Sequence, residues 1–132
     1  MIKKINHIGI AVSSIDQALK LYTGVLGLNL KTMEVVESQR TRTAILPVGE
    51  SNIELLEATD AESPIAKYLE KFGEGIHHLA LEVADIEEAL GEVSRCGLPL
   101  IDEKPRAGVE KTRIAFLHPK GTGRVLLELV QS

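Results

Sequence analysis

His7, Glu54, His78 and Glu128 are the residues in this chain whose types and spacing could do chemistry. Each lies in an apolar stretch: His7 opens HIGIAV, His78 opens HLALEV, Glu54 sits in IELL and Glu128 in LLELV. A carboxylate is rarely buried unless it is paired or bound to a metal. One imidazole and one carboxylate from each of two equivalent places make a ligand set for a single divalent ion such as Co, Mn, Ni, Zn or Mg. An ion held that way is a Lewis acid, able to stabilise negative charge growing on a substrate oxygen. A structural alternative stands beside this reading: Arg42 and Arg113 also occupy equivalent positions and could neutralise the two glutamates.

The equivalence comes from an internal repeat. HIGIAVSSIDQAL (7–19) and HLALEVADIEEAL (78–90) share five of thirteen residues at an offset of 71. RTAIL (42–46) and RIAFL (113–117) continue at that offset, and IELL (53–56) and LELV (127–130) follow at 74, with a longer turn, HPKGTG, in the second half. Each half therefore reads as strand, helix, then three strands. Ser14 with Gln17 and Asp85 with Glu88 have the spacing of capping boxes. Ile15, Ala18, Leu19 and Tyr22 form one apolar stripe, and Ile86, Ala89, Leu90 and Val93 the other. Gly27 and Gly97 are placed to stop the two helices. The other strands are expected near 28–36, 40–47 and 51–57, and again near 98–103, 112–118 and 124–131. Between the halves, Ser63-Pro64 starts a helix over 64–72, with proline at its first position.

The fold expected is α+β. Two tandem βαβββ modules, about 1–60 and 74–132, make a single domain over 1–132, joined by the helix at 64–72. Their strands form one curled eight-stranded mixed sheet with helices on the convex face, leaving a concave trough for a site. Side chains alternate along a strand. His78 therefore shares a face with Ala80 and Glu82, and His7 with Gly9 and Ala11, where small neighbours leave room for a ligand. His77 falls on the other face, with Leu79, Leu81 and Val83.

Composition narrows the function. The net charge of −4 argues against a broad grip on nucleic acid, and 3% aromatic residues leave little for base stacking. One cysteine, Cys96, gives no disulfide framework and no thiolate metal site, and it suits a reducing cytoplasm. No leader pattern and no apolar run of membrane-spanning length is read, so a cytoplasmic protein with no membrane partner is expected.

On these residues the chain resembles the vicinal oxygen chelate superfamily, in which paired βαβββ modules form the glyoxalase fold. NHIGIAV, YTGVLGL and FLHP carry that likeness. LPVGESNIELLEATDAESPIAKYLEKFGEGIHHLALEV and IAFLHPKGTGRVLLELV carry a narrower one, to the methylmalonyl-CoA epimerase family, essentially end to end. The resemblance implies that His7, Glu54, His78 and Glu128 hold one divalent ion. It also implies an acyl-CoA substrate and a homodimer. Two departures stand out: Thr43 occupies the place where some epimerases carry a second glutamate, and PRAGVEKTRIAF lacks the glycine-rich run many relatives show.

Epimerisation removes the proton between thioester and carboxylate and returns it to the other face of an enolate. Glu128, which could touch both ion and substrate, is the base expected for one face; Glu54, Glu82 or a water serves the other. Lys104, Arg106, Lys111, Arg113, Lys120 and Arg124 stand against one acid, Glu110, over residues 104–124 and could steer the CoA phosphates. Glyoxalase I, acting on a glutathione hemithioacetal with a similar ligand set, is the alternative. A non-haem iron oxygenase and a metal-free binding module are further rivals.

Overall fold

The computed structural model describes all 132 residues. They form two compact units: one is Ile8–His77, the other Met1–His7 together with His78–Ser132. Strands β1 (Ile2–Ala11) and β5 (Gly75–Val83) contribute residues to both. The remaining elements are α1 (Ile15–Leu19), β2 (Thr32–Val36), β3 (Thr41–Val48), β4 (Ser51–Ala58), α2 (Pro64–Phe72), α3 (Ile86–Arg95), β6 (Arg106–Ala107), β7 (Arg113–Phe116) and β8 (Leu127–Gln131). The expected β-α-β-β-β order thus occurs twice. The eight strands make one mixed sheet in the order β2-β3-β4-β1-β5-β8-β7-β6. No helix is long and apolar enough to cross a membrane.

In the Ile8–His77 unit, β3 pairs antiparallel with β2 and β4. Ala44, Leu46 and Leu55 pack with Ile15 and Val12, so this face of the sheet lies under α1. Ser14 caps α1 by accepting the Gln17 N–H, and Glu57 at the end of β4 accepts the Ile15 N–H at 2.7 Å. After Leu19 the helix widens into a π-helical segment, Lys20–Val25. There the Thr23 hydroxyl donates to the Leu19 carbonyl, occupying an acceptor of the regular ladder, and Leu26 N–H bonds back five residues to Leu21. Gly27 then turns the chain with φ of 76°. Helix α2 packs Ile65, Tyr68 and Leu69 on Ala11, Leu56 and Ala58. Leu56 alternates with Leu55, so α2 covers the sheet face away from α1.

In the other unit, β5 pairs parallel with β8, and β7 pairs antiparallel with β8 and β6. Val83, Ala115, Leu117 and Leu129 lie under Ile86, Ala89 and Leu90 of α3. Burying each Leu or Ile there contributes about 1.5–3 kcal/mol. Asp85 accepts the Glu88 N–H, Gln131 accepts the Ile86 N–H, and Gly97 ends the turn after α3 with φ of 83°. Glu57 and Gln131 are repeat equivalents, and both accept the first N–H of the helix packed on their own module, a donor with no partner inside the helix.

The expected strand at 98–103 is absent as a strand. Only Leu100 bridges to Leu117, and the regular pairing begins later, at β6. Pro99 has no N–H to give to a ladder. In addition, the Asp102 side chain, not a backbone carbonyl, accepts the Phe116 N–H at 2.9 Å. The strand expected from 124 starts instead at Leu127, because Gly123 and Arg124 both take positive φ in the turn.

Candidate metal centre

The register of β5, β7 and β8 fixes which side chains share a face. Ala80 and Phe116 both lie opposite Glu128, while Glu82 and Ile114 lie opposite Val130. With His78 two residues before Ala80, one face carries His78, Ala80, Glu82, Ile114, Phe116, Glu128 and Val130. The other face carries the residues under α3. Glu128 is therefore aimed away from the helix because its neighbours Leu129 and Leu127 are apolar and it alternates with them.

His7, His78 and Glu128, all in the unit that contains β6–β8, come together and are all buried. His7 Nε2 lies 2.9 Å from His78 Nε2. Glu128 places Oε2 3.6 Å from His7 Nε2 and Oε1 3.4 Å from His78 Nε2. Two donors each about 2.1 Å from one ion stand roughly 3.0 Å apart at a right angle and about 3.4 Å apart at the tetrahedral angle. The observed separations are of that size, so the two nitrogens and the carboxylate fit a single divalent ion. Burial pushes the His7 pKa down to about 4, so at neutral pH its imidazole is uncharged, the form that ligates.

Glu54 is buried on β4 in the Ile8–His77 unit. It lies opposite Ile45, and Thr43 opposite Leu56, so Glu54 and Thr43 share the face away from α1. The arginine alternative does not hold: Arg42 pairs with Glu57 at 3.7 Å, and Arg113 pairs with Glu87 of α3. His77 rests against the Tyr68 ring of α2, with centroids 5.0 Å apart, a packing role.

Residues 6–116 match the model of the glyoxalase/bleomycin resistance protein/dioxygenase superfamily. The chain belongs to that superfamily. An uncharacterized superfamily relative from Bacillus subtilis is 41% identical over 97% of this chain and 91% of its own. An ethylmalonyl-CoA/methylmalonyl-CoA epimerase of Cereibacter sphaeroides is 32% identical over 99% of both chains. A methylmalonyl-CoA epimerase solved in complex with methylmalonyl-CoA and NH4+ superposes with a TM-score of 0.97 at 37% identity, covering 100% of this chain and 96% of that one.

Asn6 is the residue that sequence reasoning missed in this superfamily member. Its Oδ1 faces His7 Nδ1 at 2.7 Å, and its Nδ2 donates to Glu82 Oε1 at 2.9 Å. Glu82 also accepts from Ser132 Oγ at 3.0 Å and lies 3.7 Å from Lys3 Nζ. Burial alone would raise the Glu82 pKa, but the hydrogen bonds from Asn6 and Ser132 and the charges of Lys4 and Lys3 outweigh it and hold the pKa low. Glu82 is thus a fixed acceptor and a poor base. It orients Asn6, whose carbonyl oxygen accepts a hydrogen bond from the His7 Nδ1–H and so leaves Nε2 with its lone pair toward His78 and Glu128. Asn6→Ala is expected to weaken divalent-metal binding by about 10- to 100-fold. Competition against a fluorescent chelator measures this, and an unchanged affinity would remove Asn6 from the site.

Proposed function

We propose that the chain is a methylmalonyl-CoA epimerase, interconverting the (R) and (S) epimers by moving the proton at C2. What carries this reading is its end-to-end likeness to epimerases of malonyl-type thioesters, joined to the buried trio of His7, His78 and Glu128. These three are the proposed ligands of one divalent ion, with Co, Mn, Ni, Zn and Mg as candidates. From the repeat alone, Glu54 is proposed as a further ligand. When bound, the ion supplies Lewis acidity toward the thioester oxygen. His7 and His78 contribute uncharged nitrogens, so even two carboxylates only balance a divalent charge, and the centre does not repel an anionic substrate.

Glu128 is the proposed base for one face of C2. Its carboxylate is the trio's only proton acceptor of carboxylate type, and the apolar neighbours Phe116, Ala80 and Val130 limit its solvation. Glu82 is set aside for the other face because its Oε1 already accepts from Asn6 and Ser132 and its Oε2 lies 3.7 Å from Lys3 Nζ. We read residues 1–132 as one domain, and carry a homodimer and a cytoplasmic location as expectations that sedimentation and cell fractionation check.

The glyoxalase alternative is separated by substrate. Metal-loaded protein is given (R)-methylmalonyl-CoA in one assay and the hemithioacetal of glutathione and methylglyoxal in another. Loss of optical purity in the first, with no thioester formed in the second, is the expected result. The reverse pattern would overturn the epimerase reading.

A further inference from the structure

Arg106 stands at the edge of the same sheet face as the trio. It lies opposite Ile114 on β7, and Ile114 lies opposite Val130 on β8. Directly opposed residues in antiparallel pairs point the same way. Arg106, Ile114, Phe116, Glu128 and Val130 therefore share one face. The Arg106 guanidinium carbon sits 5.5 Å over the Phe116 ring, and that ring meets the His78 ring nearly perpendicular with centroids 5.5 Å apart. One phenyl ring separates the guanidinium from a proposed metal ligand.

The guanidinium is held in place. Asp102 uses Oδ2 to accept the Phe116 N–H and sets Oδ1 3.3 Å from Arg106 Nε. Nε is itself buried and makes no hydrogen bond, so the Asp102 contact is electrostatic. Nη1 and Nη2 meet no protein acceptor, and the side chain is 39% exposed. The irregular stretch that replaced the expected strand at 98–103 is what brings Asp102 under this arginine. The outcome is a planar two-donor fork, stacked and ion-anchored, with its outer edge open beside an apolar floor of Ile114, Phe116 and Val130. Such a fork matches a carboxylate, and the stacking has already limited its rotamer freedom.

We propose that Arg106 binds the free carboxylate of a malonyl-type thioester and makes the site select acyl groups bearing that carboxylate. This rests on the epimerase reading, since the carboxylate then sits on the carbon that loses its proton. The phosphates of CoA offer the same charge, but they lie at the far end of the pantetheine arm from that carbon.

Calorimetry on the metal-loaded protein separates the two anions. Malonyl-pantetheine carries the carboxylate and no phosphate; free coenzyme A carries phosphates and no carboxylate. Arg106→Gln is expected to weaken malonyl-pantetheine by about 10- to 100-fold, leave coenzyme A within about twofold and leave metal stoichiometry unchanged. Arg106→Lys, which keeps the charge and loses the fork, is expected to recover part of the loss. In turnover, KM for methylmalonyl-CoA rises more than kcat falls. Unchanged malonyl-pantetheine binding, or a loss confined to coenzyme A, overturns the proposal while the wild type still epimerises. If the wild type neither binds malonyl-pantetheine nor turns over methylmalonyl-CoA, the epimerase reading fails together with it.

Discussion

Removing the divalent ion is expected to cut epimerisation by at least about a thousandfold, and adding Co2+ or Mn2+ back is expected to restore it. The proton to be removed lies between a thioester and a carboxylate, so negative charge builds beside charge already present. Neutralising growing charge in a water-poor site lowers the barrier by several kcal/mol, and each 1.36 kcal/mol is about tenfold in rate. His7, His78 and Glu128 are all buried, and their donor atoms stand 2.9, 3.4 and 3.6 Å apart. With the ion removed, the His7 imidazole cannot replace its charge, because burial holds it neutral down to about pH 4. Dialysis against a chelator, followed by metal analysis and assay of the same sample, measures the effect. A chelated sample that keeps its rate would contradict the metal reading. The same sample is expected to unfold at lower temperature, because an ion that binds only the folded chain stabilises it.

Glu128→Gln is expected to leave the fold intact and to cut turnover by about a thousandfold or more. The amide has nearly the shape of the carboxylate, and its neighbours Ala80 and Phe116 on the flanking strands are unchanged. An amide cannot take up a proton at this acidity, so the loss reads the base role directly. It still offers an oxygen to a metal, so metal content is expected to fall far less than the rate. The informative comparison is between His7→Ala and Glu128→Gln. The first is expected to lose metal and rate together, the second mainly rate. Near-wild-type turnover in Glu128→Gln would take Glu128 out of the proton transfer.

The repeat carried much of the fold because it fixes period and phase together. An alternation such as HLALEV assigns a side to every residue, and the register bears out that assignment: Leu81, Val83 and Leu129 lie under α3, and His78, Ala80 and Glu128 on the other side. The caps Ser14, Ser63 and Asp85 were legible for the same reason, since each is a local hydrogen bond at fixed spacing. What escaped was whatever depends on a side chain reaching out of its own element. Asp102 takes the place of a backbone acceptor and dissolves a strand that LPLID suggests by composition. Thr23 competes for a helix carbonyl and widens α1 into a π turn. Asn6 merely falls where a counterpart of His77 would stand in the repeat, yet its amide links Glu82 to His7, a role set by side-chain direction alone. Arg106 reads as one of six basic residues in a turn region until the pairing of β6 with β7 gives it a face.

The central claim is that this chain moves the proton at C2 of methylmalonyl-CoA. The direct test is to incubate metal-loaded wild-type protein with one epimer of methylmalonyl-CoA in heavy water and follow C2 by NMR. Deuterium appearing at C2 as the second epimer accumulates is the predicted result. A C2 that keeps its proton at the uncatalysed rate, in protein shown to hold its ion, would contradict the account.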